Sequence, residues 1–165
     1  MIHPAGAAIL AAGLLACGPN DAAAPADPPA APLSRALLGS WETIEIEVNS
    51  ESYLGGDSTL TDHIREADWG RKYGVRPAIT RFTPDGKLQR THRLRDGQTV
   101  NLIHGLWRER GDTLVIIEPS ISYRYSYDLA PGGDRLELRG RVDYDRDGAA
   151  DDDYRAVLRK TSNSY

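Results

Sequence analysis

What most constrains this chain is a recurrence: short runs of alternating or wholly apolar residues, each closed by a turn signal. SWETIEIEV (40–48) places Ile44, Ile46 and Val48 on one face. AITRF (78–82) runs into TPDGK, and LQRTHRL (88–94) into RDGQ, both Asp-Gly turns. VNLIHGLWRER (100–110) breaks at Gly111-Asp112 before TLVIIE (113–118), and SYRYSYDL (122–129) ends at APGGD. RLELRGRV (135–142) and YRAVLRK (154–160) flank an aspartate-rich connection. Strands spaced about 8–12 residues apart predict an all-β barrel or sandwich. Eight sequential antiparallel strands with tight turns favour up-and-down closure, which leaves no exposed edge.

One stretch breaks the pattern. STLTDHIREADWGRKYG (58–74) has Leu60, Ile64 and Ala67 at helical spacing, with Thr61 or Asp62 as N-cap and Gly74 as stop. It predicts one short helix after the first strand, covering one end of the barrel.

The chain has 165 residues and 40% hydrophobic content, enough for one domain with a buried core. Its net charge is −4, with no basic run to track a phosphate backbone, which argues against nucleic-acid binding. Its single cysteine excludes an internal disulfide.

That cysteine closes the first segment. Ala5 to Ala16 is an uncharged run of Ala, Gly, Ile and Leu, too short to span a bilayer and suited to a signal-peptide core. It ends in Leu14-Leu15-Ala16-Cys17, which resembles the lipobox of bacterial lipoproteins. The resemblance implies that Cys17 is lipidated, that residues 1–16 are removed, and that acyl chains anchor the protein to a membrane. Gly18, rather than Asp, follows the cysteine; by resemblance to Gram-negative sorting patterns this favours the outer membrane. Residues 17–34 then form a tether whose Pro/Ala-rich part, GPNDAAAPADPPAAPL, is held extended by five prolines. It would reach roughly 50 Å from the bilayer. The folded domain is expected over residues 35–165.

LLGSWE (37–42) is similar to the Gly-x-Trp opening of lipocalin barrels, in which the tryptophan plugs the closed end. With DWGRKYGVRPAITRFTPDGK and DYDRDGAADDDYRAVLRK, the layout from about 35 to 160 resembles a group of uncharacterised bacterial lipocalin-like lipoproteins. The resemblance implies Trp41 as the barrel-floor tryptophan and Arg159 as the arginine laid across it.

Three constellations carry chemistry. The first is DYDRDGAADDDY (143–154), whose Asp143, Asp145, Asp147 and Gly148 reproduce the start of a calcium loop. Ala149 would supply a backbone carbonyl and Asp151 a carboxylate oxygen, while Tyr154 stands where a bidentate Glu belongs, with Asp152 or Asp153 as its substitute. The flanking segments read as strands, so this is not an EF-hand. The reading is a structural Ca2+ that pins the last two strands; the alternative is a solvated acidic turn. Second, Tyr123, Tyr125 and Tyr127 share one strand face, either as a ligand-stacking wall or as ordinary packing. Third, Leu88, Arg90, His92 and Leu94 share a face; if it points inward, the Arg90 guanidinium needs a carboxylate or an anionic ligand.

The four histidines are scattered, and neither a nucleophile elbow nor a phosphate loop is present, so no enzyme is expected. The leading expectation is a lipid-anchored envelope protein whose barrel binds or carries a small, partly apolar ligand. The alternative is an assembly factor or inhibitor with a filled barrel that binds another envelope protein.

Overall fold

The computed structural model describes residues 35–164; Cys17, the lipobox and the tether lie outside the described residues. Nine strands and one helix follow in the order β1 (Gly39–Ser50), β2 (Leu60–Ile64), α1 (Glu66–Lys72), β3 (Ile79–Phe82), β4 (Lys87–Arg93), β5 (Thr99–Arg110), β6 (Thr113–Ile117), β7 (Ser122–Leu129), β8 (Arg135–Val142) and β9 (Asp152–Ser162). Every pairing between them is antiparallel. From β3 onward each strand pairs with the next, and β9 returns to β1, closing an eight-stranded up-and-down barrel.

All eight expected strands are present; the ninth is β2. The first four residues of β1 pair with β3, and Ile46 to Ser50 on the same edge pair with β2. The expected helix over 58–74 is therefore corrected: its first part is strand, and only Glu66–Lys72 is helical. Leu60 and Ile64 stand four apart, a spacing that suits a helix face, but the free upper edge of β1 offers a backbone ladder, and tertiary pairing overrides the local pattern. The helix starts at Arg65, whose N–H donates to the Asp68 carboxylate at 3.1 Å. It ends at Lys72, two residues before Gly74, whose φ of +67° stops it as expected. The chain then rejoins the wall through a bridge between Val75 and Leu94.

β1 also carries a bulge between Thr43 and Glu45. Trp41 and Thr43 are buried before it, Val48 and Ser50 after it, so the inward register changes from odd to even positions there. Ile44 therefore does not share the inward face of Ile46 and Val48.

One end of the barrel is solid. Trp41, Phe82, Trp107, Leu37, Leu88, Leu114 and Leu136 are buried there within one cluster. Phe82 and Trp107 meet edge-on at 5.2 Å, and Trp107 Nε1 donates to the Thr83 carbonyl at 3.0 Å. Trp41 Nε1 donates to the Leu37 carbonyl at 2.8 Å. Trp41 thus lies buried in this solid end. Its cation is Lys160, 5.0 Å above the ring, rather than Arg159. The register puts Lys160 opposite Trp41 and Arg159 opposite Glu42, so Arg159 pairs with Glu42 and Glu66 instead. The strand directions gather the loops 51–59, 94–98, 118–121 and 143–151 at the other end.

Candidate functional site

Above the floor the barrel keeps a cavity of about 130 Å³. Phe82, Ile46, Ile116, Leu138, Ala156 and Leu158 give it apolar walls, and Thr80, Arg90, His92, Trp69, Tyr125 and Tyr154 add polar groups. Each strand contributes by alternation: the inward positions of β4 supply Arg90 and His92, and those of β9 supply Tyr154, Ala156 and Leu158. Helix α1 contributes Trp69.

The face holding Arg90 does point inward, and the carboxylate it requires is Glu118, just past β6. Arg90 Nη1 lies 2.7 Å from Glu118 Oε1, and the Glu118 side chain is only 8% exposed. That oxygen lacks an aligned hydrogen bond, so charge holds the pair. Arg90 Nε also donates to Thr80 Oγ1 at 3.2 Å. Burial, and then the Arg90 charge, pull the His92 imidazole below its ordinary range, with Glu118 opposing. His92 is therefore neutral near pH 7, and the cavity carries no net charge.

A stability consequence follows. On acidification the unfolded chain protonates His92 first, so folding free energy is lost as pH falls below about 6.5 towards the lowered folded value. Urea melts across this range should show a shallower pH slope for His92→Gln than for the wild type. Equal slopes would mean that the imidazole is not held neutral.

The three tyrosines of β7 all contact the core, but they have separate duties. Tyr125 lines the cavity and is stacked by Tyr123 at 5.8 Å. Burial pushes the Tyr125 hydroxyl far above its ordinary range. Tyr127 sits nearer the floor and donates to Glu109 Oε1 at 2.6 Å; that bond, with burial, pushes its hydroxyl up to about 12. Of the expected ligand-facing residues, Arg90 and Tyr125 line the cavity, whereas Tyr123 and Tyr127 do not. Tyr154 and Trp69 were not anticipated there. The Tyr-x-Ala-x-Leu alternation of β9 could have revealed Tyr154. Trp69 arrives through α1, whose position no local pattern encodes.

Trp69 differs from the other two tryptophans. Their indole N–H groups have carbonyl partners, whereas Trp69 Nε1 is buried without one. An unmet buried donor costs about 1–3 kcal/mol.

The aspartate-rich loop lies at the same end as the cavity's polar rim. It brings together Asp143, Asp145 and Asp152, with one oxygen from each within 4.8 Å of the others. Asp152 is 1% exposed. Its Oδ2 accepts the N–H of Tyr144 at 2.6 Å and of Asp145 at 3.3 Å, while its Oδ1 and Asp143 Oδ1 are buried without hydrogen-bond partners. Burial alone would raise the Asp152 carboxyl, but the Ser50 hydroxyl and those backbone donors hold it below the usual carboxylate range. Three clustered carboxylates, two of them with a buried oxygen that lacks a hydrogen-bond partner, fit a hard, oxygen-seeking cation.

The other loop residues are placed differently. Asp147 Oδ1 accepts the Ala149 N–H at 2.8 Å and shapes the loop itself. Asp151 accepts from Ser52 Oγ at 2.9 Å, and Asp153 faces Arg141 at 3.8 Å while 74% exposed. Gly148 adopts φ +98°, so it does supply the turn.

A second acidic group, Glu45, Glu47 and His63, also lies close together. Its charge is met by Arg155, whose Nη1 is 3.1 Å from Glu47 and 3.8 Å from Glu45.

No protein-family model matches the chain, and no curated protein matches it. Among solved structures it is similar to a lipocalin-like protein from Bacteroides uniformis, at 15% identity and a TM-score of 0.47, over 76% of this chain and 99% of that one.

Proposed function

We propose that this protein is a non-catalytic small-molecule binder that takes one neutral, ring-sized group into the barrel cavity. The observation that carries this is the cavity itself, apolar-walled and edged by Trp69, His92, Tyr125 and Tyr154, with the Arg90 charge met by Glu118. A cavity near 130 Å³ suits a single aromatic ring rather than a drug-sized cargo, for which several hundred Å³ is usual. A ring bearing one polar oxygen would lie between Trp69 and Tyr125, both of which line the cavity. The lipobox supports placing this binder in the bacterial envelope, anchored through Cys17 and reaching out on its tether, with the outer membrane as the favoured surface. We propose further that the cation of the aspartate cluster is structural Ca2+, since the donors are oxygen only.

Phenol is a suitable probe. In a titration of the full chain followed by indole N–H resonances, the Trp69 signal should move, while those of Trp41 and Trp107, bonded to carbonyls, should stay. Trp69→Phe assigns the signal. No movement at millimolar phenol would leave the cavity as a packing defect.

That result would favour a protein-interaction module, for which one observation speaks. Val100, Leu102 and Leu106 are 52%, 46% and 46% exposed along the outer face of β5. The strand's first half extends past its pairing with β6, which begins at Leu106.

A further inference from the structure

The aspartate loop does more than join β8 to β9. Three side-chain bonds stitch it to the chain between β1 and α1. Asp145 Oδ2 accepts the Leu54 N–H, Asp151 Oδ2 accepts Ser52 Oγ, and Tyr144 Oη donates to Asp62 Oδ2 on β2 at 2.8 Å. Leu54 sits at φ +55°, a left-handed conformation that a leucine seldom adopts, and it is 63% exposed. Core packing does not hold that turn: its own backbone bonds, such as Gly55 N–H to the Ser52 carbonyl at 2.8 Å, shape it, and Asp145 fastens it to the aspartate loop.

Asp145 is held by its N–H bond to Asp152 Oδ2 and by the Asp147 N–H at its Oδ1, and it sits within the field of two further carboxylates. Asp152 occupies the inward position of β9 two residues before Tyr154, fully buried, with Oδ1 unpartnered. Asp143, in the same cluster, has a second buried oxygen without a hydrogen-bond partner. The nearby Arg141 guanidinium is engaged by the Asp151 carbonyl and the Asp153 carboxylate. With no cation between them, the three carboxylates repel one another. Asp152 stands on β9 and Asp143 directly follows β8, whereas Asp145, the one that carries Leu54, lies further into the loop and is the one with most room to withdraw.

We propose that a divalent cation at Asp143, Asp145 and Asp152 fastens the cavity end of the barrel, locking the 143–151 loop onto the 51–59 loop and β2, and through β2 steadying α1 and Trp69. This rests on the calcium reading above. It adds that the ion governs the wall of the ligand cavity, beyond the hairpin that binds it.

Hydrogen exchange of the full chain, read by mass spectrometry in calcium chloride and in EDTA, tests it. Calcium should slow exchange over residues 51–64 and 66–72 at least tenfold. It should also raise Tm by roughly 8–10 °C at a hundredfold excess over Kd. Asp145→Asn keeps an acceptor for the Leu54 N–H but loses the charge, and should abolish both responses. Asp152→Asn should do the same; if it does not fold, Asp145→Asn carries the test. A rise in Tm with slowing confined to residues 143–152 overturns the clamp while sparing calcium binding. A calcium response of Asp145→Asn equal to the wild type's also overturns it. No response of the wild type in either readout overturns the clamp and the calcium reading together.

Discussion

Trp41→Ala should lower the unfolding free energy by about 4 kcal/mol and Tm by roughly 15 °C. Trp41 is wholly buried in the floor cluster, so truncation removes the apolar burial of an indole and leaves a cavity that the surrounding strands cannot collapse. Two smaller losses accompany it. The Leu37 carbonyl loses the donor at 2.8 Å, and Leu37 is itself wholly buried, so water cannot replace that donor cheaply. Lys160, whose ammonium burial already pulls down, loses the ring beneath it and keeps only the Ala36 carbonyl. Trp41→Phe separates these contributions, because it retains most of the apolar volume while orphaning the carbonyl, and should cost about 1–2 kcal/mol. Chemical denaturation of both variants measures the difference. If Trp41→Ala costs less than Trp41→Phe is expected to, the floor is not a sealed core and the closed end is misassigned.

Much of this architecture is legible because each strand advertises itself twice, by alternation along it and by Gly, Pro or Asp at its ends. Closure follows from the number and order of the strands. Three features escaped for one reason: each depends on what a segment meets rather than on what it contains. Leu60 to Ile64 has helical spacing but meets an unpaired half of β1 and becomes strand. Ile44 alternates faultlessly with Ile46 but stands at a bulge, and the inward face changes parity around it. The aspartate loop shows the same effect at the candidate site. Its regular spacing points to Asp143, Asp145, Asp147 and Asp151, yet Asp147 is occupied in turning its own backbone. The third carboxylate of the cluster is Asp152, one of the two substitutes the loop offers for the missing glutamate, and the first inward position of β9 selects it over Asp153. Arg90 was legible as a cation in need of a partner. Which of many carboxylates would serve could not be read, because Glu118 lies 28 residues away and is brought in by the stacking of three strands.

Glu118→Ala is the second large effect expected, a loss of about 2–3 kcal/mol. Removing one member of a buried ion pair typically costs about 3–5 kcal/mol, because the other charge stays buried and unpaired. The lower figure applies here because the Arg90 side chain is 23% exposed and keeps its bond to Thr80 Oγ1, so water partly relieves the orphaned guanidinium. The double variant Arg90→Met with Glu118→Leu removes both charges at similar volume, and should recover most or all of the loss. A double-mutant cycle from urea melts measures this directly, and a double variant less stable than Glu118→Ala would show that the pair holds the fold together. The expected recovery has a functional edge. A pair that can be replaced without loss of stability is not kept for stability, and its remaining use is to set the polarity of the cavity beside Trp69. The apolar double variant should therefore fold normally yet take up phenol with altered affinity. Unchanged phenol binding would place the ligand away from Arg90 and confine recognition to Trp69 and the tyrosine wall.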